Sequence, residues 1–430
     1  MSNTIPEGWV QNKLGKYVGI QGGNAFKSEA FTEVGIPVVR ISNIKKDGSI
    51  NLNSSIFANE DASLSRFKVQ YGDILIAMSG ATTGKVGRYT LNNYSYLNQR
   101  VGRFFAKGSN DVSMDYIHQV TAKDSFVQSI LIDAIGGAQP NISNQQIESI
   151  IALFPPLPEQ QKIAAILTSV DEVIEKTQAK IDKLKDLKTA MMQELLTKGI
   201  GTKQGAGDGE GYIPHTEFKD SPVGRIPKSW EVVKLESVAV IQTGAAKSSK
   251  LTGDLVELPY LRVANVQDGF LDLSEIKNIM IPRSKSSRFL LKENDVLVNE
   301  GGDFDKLGRG SIWSGQITPC AHQNHVFVVR TNVDKLSPKF FNHLSGSEHG
   351  KKYYMGCAKQ TTNLASINST QLKQFPVLLP SMEEQNQICG VLDSIDENIQ
   401  NHQAKLVKRK VLKKALMQDL LTGKVRVKLD

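Results

Sequence analysis

The sequence predicts an α+β fold, in which two copies of one mixed α/β domain are joined by two long helices that form an antiparallel coiled coil. Three observations lead there. The 430-residue chain is written twice in the same order, each copy ends in a heptad stripe, and a glycine-rich stretch separates the copies.

The repeat is read directly. "IPEGW" (5–9) returns as "IPKSW" (226–230), and "IPVVRISNIKKDGSINL" (36–52) returns as "LPYLRVANVQDGFLDL" (258–273). "SRFKVQYGDILIA" (65–77) is echoed by "SRFLLKENDVLVN" (287–299), and "PLPEQQKIAAILTSVDEVIEKTQAK" (156–180) by "PSMEEQNQICGVLDSIDENIQNHQAK" (380–405). Within each copy, "GDILIAM" and "NDVLVN" have the apolar density of buried strands, while "KDG" and "QDG" are turn signals. Residues 1–155 and 226–378 are therefore the two domains. Residues 156–197 form the first long helix, 379–430 the second with a C-terminal tail, and 198–225 a linker whose "KGIGTKQGAGDGEG" carries six glycines and little to bury.

The helix boundaries follow from end chemistry. Pro158 is tolerated in the first turn, where Glu159 and Gln160 suit the positive end of the helix dipole. In the second copy, Ser381 and Glu384 have the spacing of a capping box. Gly199 and Gly423 stand just past the ends and fit termination. The first seam runs Ile163, Leu167, Val170, Ile174, Thr177, Ile181 and on to Lys188 and Leu195; the second runs Ile388, Leu392, Ile395, Ile399 and on to Leu420. Each helix is roughly 35 to 40 residues, on the order of 55 Å. Two such seams can pair within the chain, as a ruler, or between chains. The polar seam positions His402, Arg409 and Lys413 do not separate these cases.

Composition excludes several classes. Apolar residues make up 40% and charged residues 22%, no apolar run reaches bilayer length, and the N-terminus lacks the basic and apolar regions of a signal peptide. The expected location is cytoplasmic, with no membrane partner. Lys plus Arg exceed Asp plus Glu by 52 to 44, a balance that suits a polyanion. The three cysteines, Cys320, Cys357 and Cys389, have no metal-type spacing and read as buried free thiols.

Motifs for chemistry are thin. "SGATTGKVG" (79–87) resembles a phosphate loop, but Gly80 and Gly84 are too close together and Val86 stands where a metal-binding hydroxyl belongs. Its counterpart "GGDFDKLGR" (301–309) keeps Lys306, Gly308 and Arg309 and loses Gly84 and the threonines. A turn presenting Lys85 beside Arg88, or Lys306 beside Arg309, to a DNA phosphate survives in both copies. "CAHQNH" (320–325) offers Cys320, His322 and His325 as metal ligands, but the first copy has Ser95, Leu97 and Arg100 there, so no metal is expected. There is no Asn/Asp-Pro-Pro-aromatic tetrapeptide and no glycine fingerprint for a dinucleotide. No catalytic residue is assigned.

Polar residues recurring in register are the remaining candidates for DNA contact. Arg40 pairs with Arg262 and Asn43 with Asn265, and Arg and Asn make bidentate contacts to guanine and adenine edges. For Asn43 and Asn265 the turn-forming role comes first, since Asn is a common turn residue. Base readers should differ between copies, as Asn98, Gln99 and Arg100 differ from Gln323, Asn324 and His325.

The duplicated "PLPEQQKIAAIL"-type helix start, with "GGAQPNIS" (136–143) before the first and "HTEFKDSPVGRIPKSW" (215–230) after the linker, resembles the specificity subunit of type I restriction-modification systems (HsdS) along essentially the whole chain. The second copy departs from the pattern, with "PSMEEQNQ" and "AKQTTNLA" in the matching places. The resemblance implies a non-catalytic reader of double-stranded DNA. Each target recognition domain would recognise half of a split, asymmetric site, and the helices would fix the gap and dock two methyltransferase subunits. Motor-nuclease subunits would join for cleavage. It implies no cofactor in this chain, with S-adenosylmethionine, ATP and Mg²⁺ held by the partner subunits.

Overall fold

A computed structural model of the chain describes residues 5–108, 111–133, 141–204, 211–248, 252–302, 307–360 and 365–429. The chain divides into two compact units, residues 1–178 with 404–430, and residues 179–403. Each unit therefore holds one α/β domain, the start of one long helix and the end of the other.

In the first unit a four-stranded antiparallel sheet runs in the order Val18–Gly22, Val101–Ala106, Ile74–Ala77, Val86–Arg88. A second sheet runs Phe31–Thr32, Ile56–Ala58, Ile36–Val39, Ser95–Leu97, Lys68–Val69, with Ile36–Val39 parallel to Ser95–Leu97. The domain closes where Val10–Lys13 pairs antiparallel with Ile151–Phe154, the strand just before the long helix.

The second unit repeats this order. Ala239–Thr243, Val326–Thr331, Val296–Asn299 and Gly310–Ile312 form the four-stranded sheet. Lys277–Pro282, Leu255–Leu261 and Ala321–His322 form the second sheet, again with one parallel pair. Glu231–Lys234 with Pro376–Leu379 closes the domain. The central strands are buried at every position, as the apolar density of "DILIA" and "DVLVN" predicts. The copies differ locally: Ala62–Phe67 is a 3₁₀ helix, and Arg283–Phe289 in the second copy is α-helical.

The long helices span Leu157–Lys198 and Met382–Leu420. Every predicted seam position is buried or half-buried, and most flanking positions are exposed. In the first unit Lys413 Nζ lies 2.6 Å from Asp171 Oδ1 and the Arg409 guanidinium donates to Thr177 Oγ1, so one helix runs up as the other runs down. In the second unit Lys188 Nζ meets Asp396 Oδ1 at 2.6 Å. The seams thus pair antiparallel within the chain, and three polar seam residues, Lys188, Arg409 and Lys413, each find a partner on the opposite helix.

What anchors each pair is a carboxylate at the third helical residue. Glu159, 1% exposed, accepts from the Trp9 indole N–H at 3.0 Å and from Arg426 Nε and Nη2 at 2.7 and 2.8 Å. Glu384, 6% exposed, accepts from the Trp230 indole N–H at 2.9 Å, the backbone N–H groups of Ile200 and Gly201 at 3.0 and 3.3 Å, and is bonded to His215 Nε2 at 2.9 Å. In both units the chain leaving the end of one helix is tied to the first turn of the other. The neighbouring glutamines repeat the pattern. Gln160 bonds Asp111 O, Pro155 O and Ser113 N–H, and Gln385 bonds Lys335 O, Pro380 O and Ser337 N–H.

Two sequence expectations change here. Ser381 Oγ accepts from Glu384 N–H at 3.3 Å, but the Glu384 side chain turns to the node just described and does not return to close the capping box. Four strong donors outcompete one. The glycine-rich linker also contains paired backbone, Thr202–Gln204 against Gly211–Ile213 and Phe218–Ser221 against Gly224–Pro227. Gly199 and Gly201, at φ +75° and +100°, turn the chain beneath the Glu384 carboxylate before the first hairpin.

Glu384→Ala leaves an indole N–H and two backbone N–H groups without their acceptor, a loss of about 3 kcal/mol. Thermal unfolding followed by circular dichroism should show a markedly lower melting temperature, and unchanged melting would contradict the anchoring role.

Candidate nucleic-acid interface

The parallel strand pair sets the site. Because Ile36–Val39 and Ser95–Leu97 point the same way, Arg40 and Asn98 emerge at one edge, joined by Asn98 N–H donating to Val39 O at 3.1 Å. The chain turns through Asn98–Gln99–Arg100 and returns as Val101–Ala106, antiparallel to Ile74–Ala77. That brings Met78 to the same edge, its N–H donating to Arg100 O at 2.9 Å. Asn24 joins through Gln99 N–H donating to its carbonyl at 2.9 Å. Four loops thus converge.

The second domain builds the same cluster with the same backbone bonds. Gln323 N–H donates to Leu261 O at 2.9 Å, Asn324 N–H to Ala245 O at 3.0 Å, and Glu300 N–H to His325 O at 3.0 Å. One glycine in each copy permits the approach. A Cβ on Gly23 would stand 2.3 Å from the carbonyls of Leu97 and Asn98, and one on Gly244 2.2 Å from that of His322. The frame is invariant and its tips differ.

Gln99, Arg100 and His325 are exposed at those tips; Asn98, Gln323 and Asn324 are half-buried beside them. His325 Nδ1 is paired with the Glu300 carboxylate, and Asn324 Nδ2 lies 3.1 Å from His325 Nε2. Asn43 and Asn265 face inward, each 3% exposed. Asn43 Oδ1 accepts from Arg40 N–H at 2.8 Å and its Nδ2 donates to Asn51 O at 2.8 Å; Asn265 Oδ1 accepts from Arg262 N–H at 2.9 Å and its Nδ2 donates to Asp272 O at 2.9 Å. Their hydrogen-bonding capacity holds the turn. Arg40 and Arg262 are half-buried, and each donates through Nη2 to a backbone carbonyl at 3.2 Å, of Ser54 and Glu275 respectively.

The "SGATTGKVG" segment is a 3₁₀ turn over Gly80–Thr82 followed by a strand. Lys85 is half-buried, and Arg88 is already paired with Asp115, so a phosphate would compete with that carboxylate. Arg309 Nη1 lies 3.4 Å from Gln267 Oε1, while Lys306 falls outside the described residues.

The three residues weighed as metal ligands have separate roles. Burial pushes the Cys320 thiol up to about 12, and His322, its basicity lowered by burial, is bonded through Nδ1 to Val326 O at 2.7 Å. His325 faces Glu300 instead. Among the described residues no cluster of His, Cys, Asp or Glu could hold a metal ion, and no helix is long and apolar enough to cross a membrane.

Sequence reasoning missed Glu300, Trp9, Trp230, His215 and Arg426. The repeated tryptophans in "IPEGW" and "IPKSW" and the repeated "EQ" at each helix start were a signal for the anchors. Glu300 stands opposite Met78 in register, and nothing in that exchange marks a role by itself.

Comparison with known proteins agrees with this geometry. The family described as type I restriction modification DNA specificity domain matches residues 6–186 and 227–409. The type I restriction enzyme MjaVIII specificity subunit of Methanocaldococcus jannaschii is 28% identical over 368 residues, covering 84% of this chain and 80% of the relative. The EcoKI specificity subunit of Escherichia coli is 22% identical, covering 97% and 90%. A crystal structure of the S subunit of a type I restriction-modification system from M. genitalium superposes with a TM-score of 0.59 at 13% identity, covering 98% of this chain and 97% of that one, a likeness of fold.

Asn43→Ala and Asn265→Ala should each cost about 1–2 kcal/mol by leaving buried backbone groups unpaired, whereas Gln99→Ala leaves stability unchanged. Urea unfolding curves of the three variants check this, and equal midpoints would refute the division of roles.

Proposed function

The chain belongs to the family of the type I restriction modification DNA specificity domain, and from that premise we propose that its two domains each read one half of a bipartite, asymmetric DNA site. The protein is a sequence-specificity subunit. In this reading the paired helices set the gap between the half-sites and dock two methyltransferase subunits, and motor-nuclease subunits join that assembly for cleavage. S-adenosylmethionine, ATP and Mg²⁺ belong to the partners. The observation that carries the reading is the twice-built loop cluster. Two frames with the same backbone bonds carry different polar tips, Asn98–Gln99–Arg100 and Gln323–Asn324–His325.

Such a pair suits a two-part site. Base edges in the major groove differ in their donors and acceptors, so changing the tips on a constant frame changes the bases preferred while keeping the approach to the duplex. The basic balance of the chain supplies sequence-independent attraction, and half-buried arginines such as Arg40 and Arg262 suit phosphate positioning. Continuous helices of 42 and 39 residues, pinned by the Glu159 and Glu384 anchors, are stiff enough to act as a spacer.

Two experiments test this with the methylation motif as readout, obtained by single-molecule sequencing of DNA from cells expressing the chain with its methyltransferase partner. Replacing residues 226–378 by a foreign counterpart should change one half of the motif only; a change in both halves, or no bipartite motif in the parent, would refute the assignment. Removing seven residues from the middle of both long helices should shorten the gap by about three base pairs, since seven residues rise about 10.5 Å and a base step about 3.4 Å. A methylating complex with an unchanged gap would show that the helices are not the spacer.

A further inference from the structure

The position that follows the central strand differs in charge between the two loop clusters, as does Arg100 against His325 at the tip. In the first domain Met78 fills the position after the strand, 9% exposed and packed in the core; in the second it is Glu300, whose carboxylate is partly exposed. The backbone there is held identically. Met78 N–H donates to Arg100 O and Met78 O accepts from Ile142 N–H, each at 2.9 Å; Glu300 N–H donates to His325 O at 3.0 Å and Glu300 O accepts from Ile367 N–H at 2.9 Å. The exchange therefore places a carboxylate on a fixed frame.

A carboxylate at this place is costly in a DNA reader. Phosphates repel it, and the loops around it are the ones proposed to approach the duplex. The repulsion is offset where the carboxylate accepts hydrogen bonds from a base, and among base edges in the major groove only the amino groups, N4 of cytosine and N6 of adenine, donate. The neighbours orient Glu300 for that role. With the His325 proton on Nδ1, Asn324 Nδ2 donates to His325 Nε2 at 3.1 Å and His325 Nδ1 donates to Glu300 Oε2, which leaves Glu300 Oε1 without a hydrogen bond among the described residues.

We propose that Glu300 is a specificity-determining residue of the second domain, accepting a hydrogen bond from an exocyclic amino group of cytosine or adenine in the major groove, with His325 and Asn324 as its positioning residues. The first domain has no counterpart. There the tip presents the cationic Arg100, which suits guanine O6 and N7, beside Gln99, whose amide suits adenine N6 and N7. The two clusters thus present opposite charge on one frame, the Arg100 donor in the first domain and the Glu300 acceptor in the second, at neighbouring rather than equivalent positions. This rests on the bipartite DNA-reading function proposed above.

The test compares methylation motifs made by the full complex with wild-type chain, Glu300→Ala, Glu300→Gln and His325→Ala. With Glu300→Ala, one position of the half-site read by the second domain should become degenerate, with ~10- to 100-fold less discrimination, and the other half-site should stay intact. Glu300→Gln keeps one acceptor oxygen and should relax the same position less; His325→Ala should relax it too. The base specified by the wild type at that position, cytosine or adenine, identifies the amino group. An unchanged motif in Glu300→Ala, or relaxation in the other half-site, overturns the proposal. If Glu300→Ala does not assemble, an unchanged motif in His325→Ala overturns it. A wild-type chain giving no bipartite motif fails the underlying DNA-reading function instead, and so is distinguishable.

Discussion

A carboxylate buried in the first turn of each long helix is the constraint on which the rest of this architecture depends. Stripping a carboxylate of water costs several kcal/mol, and the cost is recovered only with well-placed donors. Glu159 obtains them from Trp9 and Arg426, and Glu384 from Trp230, His215 and the backbone of Ile200 and Gly201. Each set joins three parts of its unit: the tryptophan at the start of the domain, the helix that leaves it, and the chain arriving from the end of the other helix. The helix dipole adds to this, since an acid at the third residue faces unpaired N–H groups.

The two anchors perform one task with different chemistry. At Glu159 a bidentate arginine supplies a permanent charge, 45% exposed on its side chain, whereas at Glu384 a half-buried histidine and two backbone amides share the work. The domain cores extend into the same joints. Leu420 and Leu421 lie in the core of the first unit beside Ile163 and Leu167, and Leu195 and Leu196 in the core of the second beside Ile388 and Leu392. Neither domain is complete without the end of a helix that begins in the other unit.

The loop clusters show the reverse economy, with a constant backbone and free tips. Gly23 and Gly244, the inward Asn43 and Asn265, and the parallel strand pairs are spent on the frame. Part of this was legible in the sequence because it is local: Asn43 and Asn265 fall in register as turn residues, whereas Gly23, Gly244 and the parallel pairing came only with the fold. The division of labour was not legible, because an Asn that holds a turn and an Asn that reads a base are the same residue until its neighbours are placed. Glu300 was hidden for that reason. Its meaning comes from His325, 25 positions away, and from where both emerge.

By itself the sequence determined the duplication, the strand-rich domains, the two helices with their seams and ends, and the family. Each of these is written in a period or a motif a few residues long, which backbone geometry converts directly into structure. The tertiary structure alone decided that the seams pair within the chain, since Lys413 with Asp171 and Lys188 with Asp396 could equally have met across a dimer. It also decided that Glu384 leaves its capping box and that the linker holds hairpins. The seam pairing and the Glu384 node depend on contacts between residues up to 232 apart, as in Arg409 with Thr177, and no local pattern encodes which distant donor a buried carboxylate will find.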